Sequence, residues 1–287
     1  MLWDLMKKVK KVLCYASAIV SSVFAFVPES IFSILKWPDV LYISKLFGCI
    51  SIPDSVNITI NRILFFIIVS LVVFIVYSIC LYCKRSVVIE GEDFLVEVKY
   101  GDIFKEVNCK KVISFDECFT TTIGNAPHEI KESSICGQYL KAHPNLDIQQ
   151  LITDANLAKE KGRSKYNRQD RYKSGTIVPN GDDLLLAFAP LDETGRGVFP
   201  SYKSYLDSLF LLWKELDKYY AQQDVCIPIL GSGITRLGDG MGSFFSQQKL
   251  LEMIIESYKL SPFKLKKPSK LRIVTRGSEG LPLSDYL

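Results

Sequence analysis

Histidine is scarce in this chain: His128 and His143 are the only two among 287 residues. Neither has a Cys, Ser or Asp at a diagnostic spacing, and both read as polar loop residues. A Cys–His nucleophile pair, such as Cys118 or Cys136 with His128, stays open, but no local pattern supports it. The eight cysteines form neither a disulfide framework nor the two ligand pairs of a zinc site. Cys14, Cys49 and Cys80 sit in apolar runs, where cysteine acts as a small hydrophobe, and this usage suits a reducing cytosol. Cys80 and Cys83 are formally CxxC, which reads here as helix packing. The net charge of +4 is mild. No dense basic and aromatic groove points to nucleic acid. No metal or cofactor is expected.

Charge is missing altogether from Ile63 to Tyr82, ILFFIIVSLVVFIVYSICLY. At 1.5 Å per residue such a helix spans roughly 30 Å, the thickness of the hydrocarbon core. Arg62 closes one end and Lys84-Arg85 the other, with Tyr77 and Tyr82 towards the second interface. Val12 to Val27 is a shorter apolar run behind Lys7, Lys8, Lys10 and Lys11. It fits a first span or a signal peptide; no small-x-small cleavage site precedes Pro28. The expectation is a two-pass transmembrane anchor over 1–86, with spans at about 12–30 and 62–83. Lysines at both cytosolic ends then place the N- and C-termini in the cytoplasm. Ile31 to Ile50, broken at Trp37-Pro38, reads as an interfacial amphipathic helix or a short extracytosolic loop.

Residues 87–287 have ordinary composition and can bury a core of their own. Ser86 to Tyr100 predicts two short strands, followed by a turn at Gly101-Asp102-Ile103. Further strands are predicted at Lys111–Phe115, on both sides of Asn180-Gly181, at Val225–Leu230 and at Leu271–Thr275. Helices are predicted at Ile148–Lys161, Ser201–Gln222 and Ser243–Tyr258. This alternation implies a three-layer α/β/α domain with a mixed sheet. Lys264 to Arg272 reads as a solvated basic connection, or as a contact for anionic lipid headgroups.

The stretch richest in chemistry is VCIPILGSGITRLGDGMG, Val225 to Gly242. A buried strand runs into a glycine-rich turn just before a helix. Glycines let backbone N–H groups approach a phosphate, and Arg236 can add a charged hydrogen bond. No Gly-Lys-Ser/Thr follows, and Gly231-Ser-Gly233 is followed by Ile-Thr-Arg, so neither the Walker A loop nor the dinucleotide fingerprint is present. A purely structural glycine turn remains the alternative. Asp102, just after a strand, can accept from an adenine amino group, although Gly-Asp is also a common turn.

The Gly-Asp-Ile turn and the late Pro-x-Leu-Gly-Ser-Gly strand end resemble a macro domain. FDECFTTTIGNAPHEIKESSICGQYL, GTIVPNGDDLLLAFAPLDETGRG and LLWKELDKYYAQQDVCIPILGSGITRLGDG are similar to the divergent macro branch of bacterial Thoeris anti-phage systems, the ThsA macro-like family. The resemblance runs from about Val87 to Val274. It implies a membrane effector in the bacterial inner membrane. Its macro domain would bind an ADP-ribose derivative, histidine-ADP-ribose in this class, made from NAD by a TIR-domain enzyme. Binding would trigger homo-oligomerisation and membrane damage. By the same resemblance, Asp102 and Ile103 match the adenine turn. Gly231, Ser232, Gly233, Ile234, Thr235 and Arg236 match the diphosphate loop. Asp116, Glu117, Phe119, Thr120, Ser134, Gly137 and Gln138 would line the distal ribose and its substituent. Hydrolytic macro domains use an Asn-rich segment and a glycine-rich first loop. Here Ser-Phe-Asp-Glu-Cys-Phe and a lone Gly137 favour a binder over an enzyme. A membrane-tethered ADP-ribosyl hydrolase and a passive ADP-ribose-binding anchor are the alternatives.

Overall fold

The computed structural model describes residues 2–26, 28, 53–82, 85–233, 235–237 and 246–276. The 31–50 stretch, Cys83, Lys84, Ile234 and the expected helix start at Ser243 lie outside them. The chain divides into two compact units, 1–84 and 85–287.

The described residues of the first unit form helices α1 (Leu2–Phe26) and α2 (Asp54–Tyr82). In α2, Asp54–Cys80 has a mean hydropathy of 3.0 over its most apolar window, and none of that window is buried in the protein. Its length and composition suffice to cross a membrane. It starts eight residues before the expected 62, with Asp54 in its first turn, where an acidic side chain complements the helix dipole. The apolar part of α1, Val12–Phe26, is shorter. At 1.5 Å per residue it covers about 22 Å. Among the described residues, one helix is long and apolar enough to cross a membrane. Val12, Ala16 and Val20, spaced by four, form a buried stripe on α1. One turn on, the Phe24 ring lies 6.0 Å from that of Phe65, and the Arg62 guanidinium sits 5.5 Å from the Phe24 ring centroid. The hydroxyls of Ser22, Thr59 and Ser78 bond back to the carbonyl four residues earlier, Ser78 Oγ to Phe74 at 2.8 Å, which lowers the polarity they present.

The second unit is built on a seven-stranded mixed sheet. Its strands are β1 (Ser86–Glu90), β2 (Leu95–Tyr100), β3 (Cys109–Asp116), β4 (Ile177–Asn180), β5 (Asp183–Ala189), β7 (Asp224–Pro228) and β9 (Leu271–Thr275), in the order β1-β2-β9-β7-β3-β5-β4. The five central strands are parallel; β1 and β4 close the two edges antiparallel. Two-residue strands β6 (Val198–Phe199) and β8 (Arg236–Leu237) pair separately.

Helices α5 (Tyr202–Tyr219) and α6 (Gln247–Leu260) cover one face of the sheet. Leu209, Leu212, Trp213 and Leu216 of α5 join Leu184, Leu186 and Ile227 in one core. Helices α3 (Ile135–Ala142) and α4 (Ile148–Asp154) cover the other face, where Tyr139, Leu140 and Ile152 pack with Ile113, Leu185 and Ala187. Leu184 and Leu186 face one core and Leu185 the other, the period-2 signature of a strand buried on both sides. The α/β/α layering expected from the alternation of elements is observed. Helix α4 ends seven residues before the expected Lys161. Asn156 adopts φ +48°, and Lys159 bridges antiparallel to Tyr172, so the chain turns into a loop instead of a third turn of helix.

Candidate functional site

A cavity of about 470 Å³ opens at the carboxyl ends of β3, β5, β7 and β9, where ligands bind on parallel α/β sheets. Strand ends supply Phe115, Asp116, Ala189, Pro228 and Thr275 to its wall. The β3–α3 loop supplies His128, Lys131, Ser133 and Ser134, and the β5–β6 loop Leu191, Gly195 and Gly197. The loop after β7 supplies Gly231, Ser232, Gly233 and Thr235. Four of the six residues matched to a diphosphate loop thus line the cavity. Ile234 lies outside the described residues. Arg236 is exposed and is not among the lining residues; its backbone N–H donates to the Gly197 carbonyl at 2.9 Å in the β6–β8 pair.

The glycine loop is held from beneath. The buried Tyr205 hydroxyl donates to the Leu230 carbonyl at 2.9 Å. Gly231 then takes φ +83°, in the left-handed region that glycine adopts without strain. Among the described residues, a Cβ added at Gly233 would meet nothing within 4 Å. That side of the backbone is open for close approach by a ligand. Two helix starts also border the cavity, at Ser134–Cys136 of α3 and Gln247 of α6. Ser134 and Ser246 each cap one N–H of these helix starts, and the helix dipoles favour negative charge there.

At the end of β3 the register against β5 shifts. Phe115 pairs with Ala187 but Asp116 with Ala189, leaving Phe188 as the extra residue. Such a bulge re-aims the side chains beside it. Asp116 reaches the cavity, 8% exposed. Its Oδ1 accepts from the N–H groups of Cys118 at 2.8 Å and Thr120 at 3.1 Å. Burial raises the Asp116 pKa above the ordinary carboxylate value, and the bonds from Thr120 and Cys118 only partly oppose it.

Glu117 goes the other way. It is 3% exposed and does not line the cavity. Its Oε1 accepts from Ser164 Oγ at 2.7 Å and from the Leu191 N–H at 3.2 Å, and Arg171 lies 3.7 Å from Oε2. Glu117 therefore fastens the 160–172 segment and the β5–β6 loop to the end of β3. Phe119 is buried in the core with Phe115 and Tyr172. Gly137 is packed against the Lys131 carbonyl, and neither it nor Thr120 lines the cavity.

Asp102 caps the 3-10 turn Ile103–Lys105, accepting from the Phe104 N–H at 3.1 Å; Ile103 is core. Arg276, one residue past β9, lines the cavity and stands 3.9 Å from Asp102. Gln138 does not line it; its Oε1 receives Arg276 Nη2 at 2.9 Å. The sequence reading missed Arg276. Its signal was a basic residue directly after a strand's carboxyl end.

The cysteine pairs are not poised for nucleophilic chemistry. Burial pushes the Cys118 thiol up to about 12, and the Cys136 thiol well above its ordinary value. The attacking thiolate is thus disfavoured at both. His128 stacks on Tyr166 with ring centroids 5.2 Å apart, and His143 lies 4.2 Å from the Tyr139 ring.

One prediction follows from the Asp116 geometry. An acid whose pKa is raised on folding stabilises the fold below its unfolded pKa, and that contribution is lost as pH rises through the folded value. Asp116→Asn keeps Oδ1 as an acceptor and removes the buried charge. It is expected to raise Tm by about 3 °C at neutral pH and to change nothing well below pH 4. Thermal melts across pH check this; equal shifts at both ends would place the effect elsewhere.

The sequence pattern of the family described as "Thoeris protein ThsA, Macro domain" matches residues 96–276. The Thoeris protein ThsA of Bacillus amyloliquefaciens (strain Y2) is 28% identical over 230 residues, covering 76% of this chain and 74% of the relative. Among solved structures, a point mutant of an Oceanobacillus iheyensis macrodomain has a TM-score of 0.41 at 12% identity, covering 71% of this chain and 95% of its own. A second mutant of that macrodomain, solved with ADPR, has a TM-score of 0.40 at 10% identity, covering 70% and 95%. The macrodomain of Thermus aquaticus DarG has a TM-score of 0.36 at 12% identity, covering 63% and 97%.

Proposed function

We propose a function from one premise: the chain belongs to the Thoeris ThsA macro-domain family. Its place is in Thoeris antiviral defence. Within that system the cavity is the sensor, and its ligand is an ADP-ribose-derived messenger. Histidine-ADP-ribose, made from NAD by a TIR-domain enzyme, is the form the family resemblance favours. The observation that carries the reading is the glycine loop. Gly231, Ser232, Gly233 and Thr235 border a cavity of about 470 Å³ that also holds Asp116 and Arg276. Open backbone and two helix starts suit a diphosphate. The buried carboxyl of Asp116 suits a hydroxyl or cationic group further along the ligand. Asp102, outside the lining but 3.9 Å from Arg276, suits an adenine amine.

The output is the membrane. α2 spans the bacterial inner membrane, α1 inserts beside it, and the flanking lysines keep both termini cytoplasmic. Only Cys83, Lys84 and Arg85 separate α2 from β1, so a rearrangement of the soluble unit has almost no slack to absorb it. Two helices cannot enclose a pore, so action requires several copies. To move the chain from 1% to 99% active, the ligand must bind the active arrangement about 10⁴-fold more tightly than the resting one.

The test is dye release from phospholipid vesicles carrying the full chain, with and without histidine-ADP-ribose, and product analysis on the same samples. Ligand-dependent release with intact ligand is expected. Ligand cleavage without release would support the hydrolase alternative, and binding without either would support a passive anchor. Arg236 gives a further check. Being exposed and away from the lining, Arg236→Ala is expected to change ligand affinity by no more than about twofold, since a surface charge contributes little. A tenfold loss by calorimetry would bring Arg236 into the bound site.

A further inference from the structure

We propose that Cys109 and Cys226 form an oxidation site, where a hydroperoxide joins the two thiols in a disulfide that fastens the two halves of the sheet together. Both cysteines are free and buried, 5% and 0% exposed, and their Sγ atoms lie 2.8 Å apart. They share a small cluster with Ile103, against which Phe104 and Ile135 pack. Their place in the sheet is its seam. Among the described residues, β3 and β7 pair at three positions: Cys109 with Asp224, Lys110 with Val225 and Lys111 with Cys226. Beyond these, each strand stays with its other neighbour, Val112 to Asp116 with β5, and Ile227 and Pro228 with β9. The cavity opens over those carboxyl ends and takes Phe115 and Asp116 from one strand and Pro228 from the other. The ladder thus has two halves, β1-β2-β9-β7 and β3-β5-β4, joined by three residue pairs. The two thiols lie diagonally across that join, on one face.

The roles of the two thiols differ. The Cys226 S–H donates to Cys109 Sγ. That bond, with the positive charges of Arg272 and Lys111, lowers the Cys109 pKa against the opposing effects of burial and Glu106. The Cys226 pKa is raised by Cys109 and by burial. Cys109 is therefore the attacking thiolate and Cys226 the resolving thiol. With hydrogen peroxide, the Cys109 thiolate attacks one oxygen and the O–O bond breaks. A sulfenic acid forms at Cys109, and the hydroxide released takes up the proton that Cys109 had given up. The Cys226 sulfur then attacks the Cys109 sulfur. The S–S bond forms, the S–O bond breaks, and the Cys226 proton leaves with that oxygen as water. The two thiols lose two electrons, and the peroxide is reduced to two waters. Bond formation brings the sulfurs to about 2.05 Å, a short further approach that draws the amino ends of β3 and β7 together. The cysteines are 117 residues apart in sequence, so the bond also constrains the unfolded chain strongly. Such a bond is absent in a reducing cytosol and forms when an oxidant enters it.

The full chain in detergent, reduced and then freed of reductant, tests this. It is treated with hydrogen peroxide at a dose that converts free glutathione wholly to its disulfide. The sample is alkylated in denaturant, digested and read by mass spectrometry without reduction, alongside thermal melts of the folded chain. The wild type is expected to yield a peptide pair joining Cys109 to Cys226 in most chains, two hydrogens lighter than its parts. Its Tm is expected to rise by about 5 °C over the reduced chain. Cys226→Ala is expected to give no linked pair and to leave Cys109 as a sulfenic acid that dimedone traps. Cys109→Ala is expected to give neither product. Should a variant fail to fold, the wild-type linkage and melt carry the test. If a folded, peroxide-treated wild type returns both cysteines alkylated, or Cys109 joined to a different cysteine, the proposal is overturned. A linked pair without a rise in Tm would overturn the fastening of the sheet.

Discussion

Glu117→Ala is expected to cost the soluble unit about 3 kcal/mol, seen as a fall in Tm of about 6–12 °C. Three groups converge on this buried carboxylate: the Ser164 hydroxyl, the Leu191 N–H and the Arg171 guanidinium. Truncation leaves the first two without their acceptor in a place water barely reaches, and each such loss costs about 1–3 kcal/mol. The Arg171 term is smaller, because that side chain is about one-third exposed and 3.7 Å away. Glu117→Gln separates the contributions. Its Oε1 can still accept from Ser164 and Leu191, while its amide faces Arg171, so a loss of about 1 kcal/mol is expected. Scanning fluorimetry of the full chain reads both. A loss below 1 kcal/mol for Glu117→Ala would mean that the 160–172 segment is held by other contacts, such as the Tyr172 N–H bond to the Glu117 carbonyl.

Gly137→Ala is the second large effect, and it falls on the cavity wall. A Cβ at Gly137 would stand 2.2 Å from the Lys131 carbonyl oxygen and 2.9 Å from the Glu132 Cα. Both are backbone, so no side chain can swing aside. Either α3 retreats or the 131–132 segment does. Overpacking of this kind costs about 2–3 kcal/mol, against a gain of about 1 kcal/mol from helix propensity. The displaced segment includes Lys131 and continues into Ser133 and Ser134 of the lining, so ligand affinity is expected to fall about tenfold as well. Gly233→Ala is the control for stability alone, since among the described residues its Cβ would meet nothing within 4 Å. Unchanged stability and affinity in Gly137→Ala would show that the 131–132 segment yields freely.

The sheet was largely legible before any coordinates. Leu271–Thr275 is a strand over the residues expected, and Asn180-Gly181 sits at the turn between β4 and β5. Apolar runs and a strong turn dipeptide are local signals, and the tertiary structure did not override them. Helix α3 was not expected: its eight residues are too few for a period to stand out, and Tyr139 and Leu140 earn their burial from the sheet. The site was legible by loop rather than by residue. Asp116 and Glu117 were both candidates, yet neighbours on a strand point to opposite sides, and the bulge at Phe188 decides which one reaches the cavity. Gln138 and Arg276 lie far apart in sequence and join only through the fold. The anchor divides similarly. α2 announces itself by an unbroken apolar run, whereas α1 combines a basic start with a shorter apolar stretch, a pattern that also fits other membrane-proximal roles.

The central claim is that the cavity beside Gly231 and Asp116 is a sensor for an ADP-ribose-type messenger. Isothermal titration of the full chain in detergent with histidine-ADP-ribose and with ADP-ribose tests it most directly. The account predicts saturable one-site binding in the nanomolar to micromolar range, about tenfold weaker in Gly137→Ala and unchanged within about twofold in Arg236→Ala. Absence of binding to both ligands by a folded wild-type chain would contradict it.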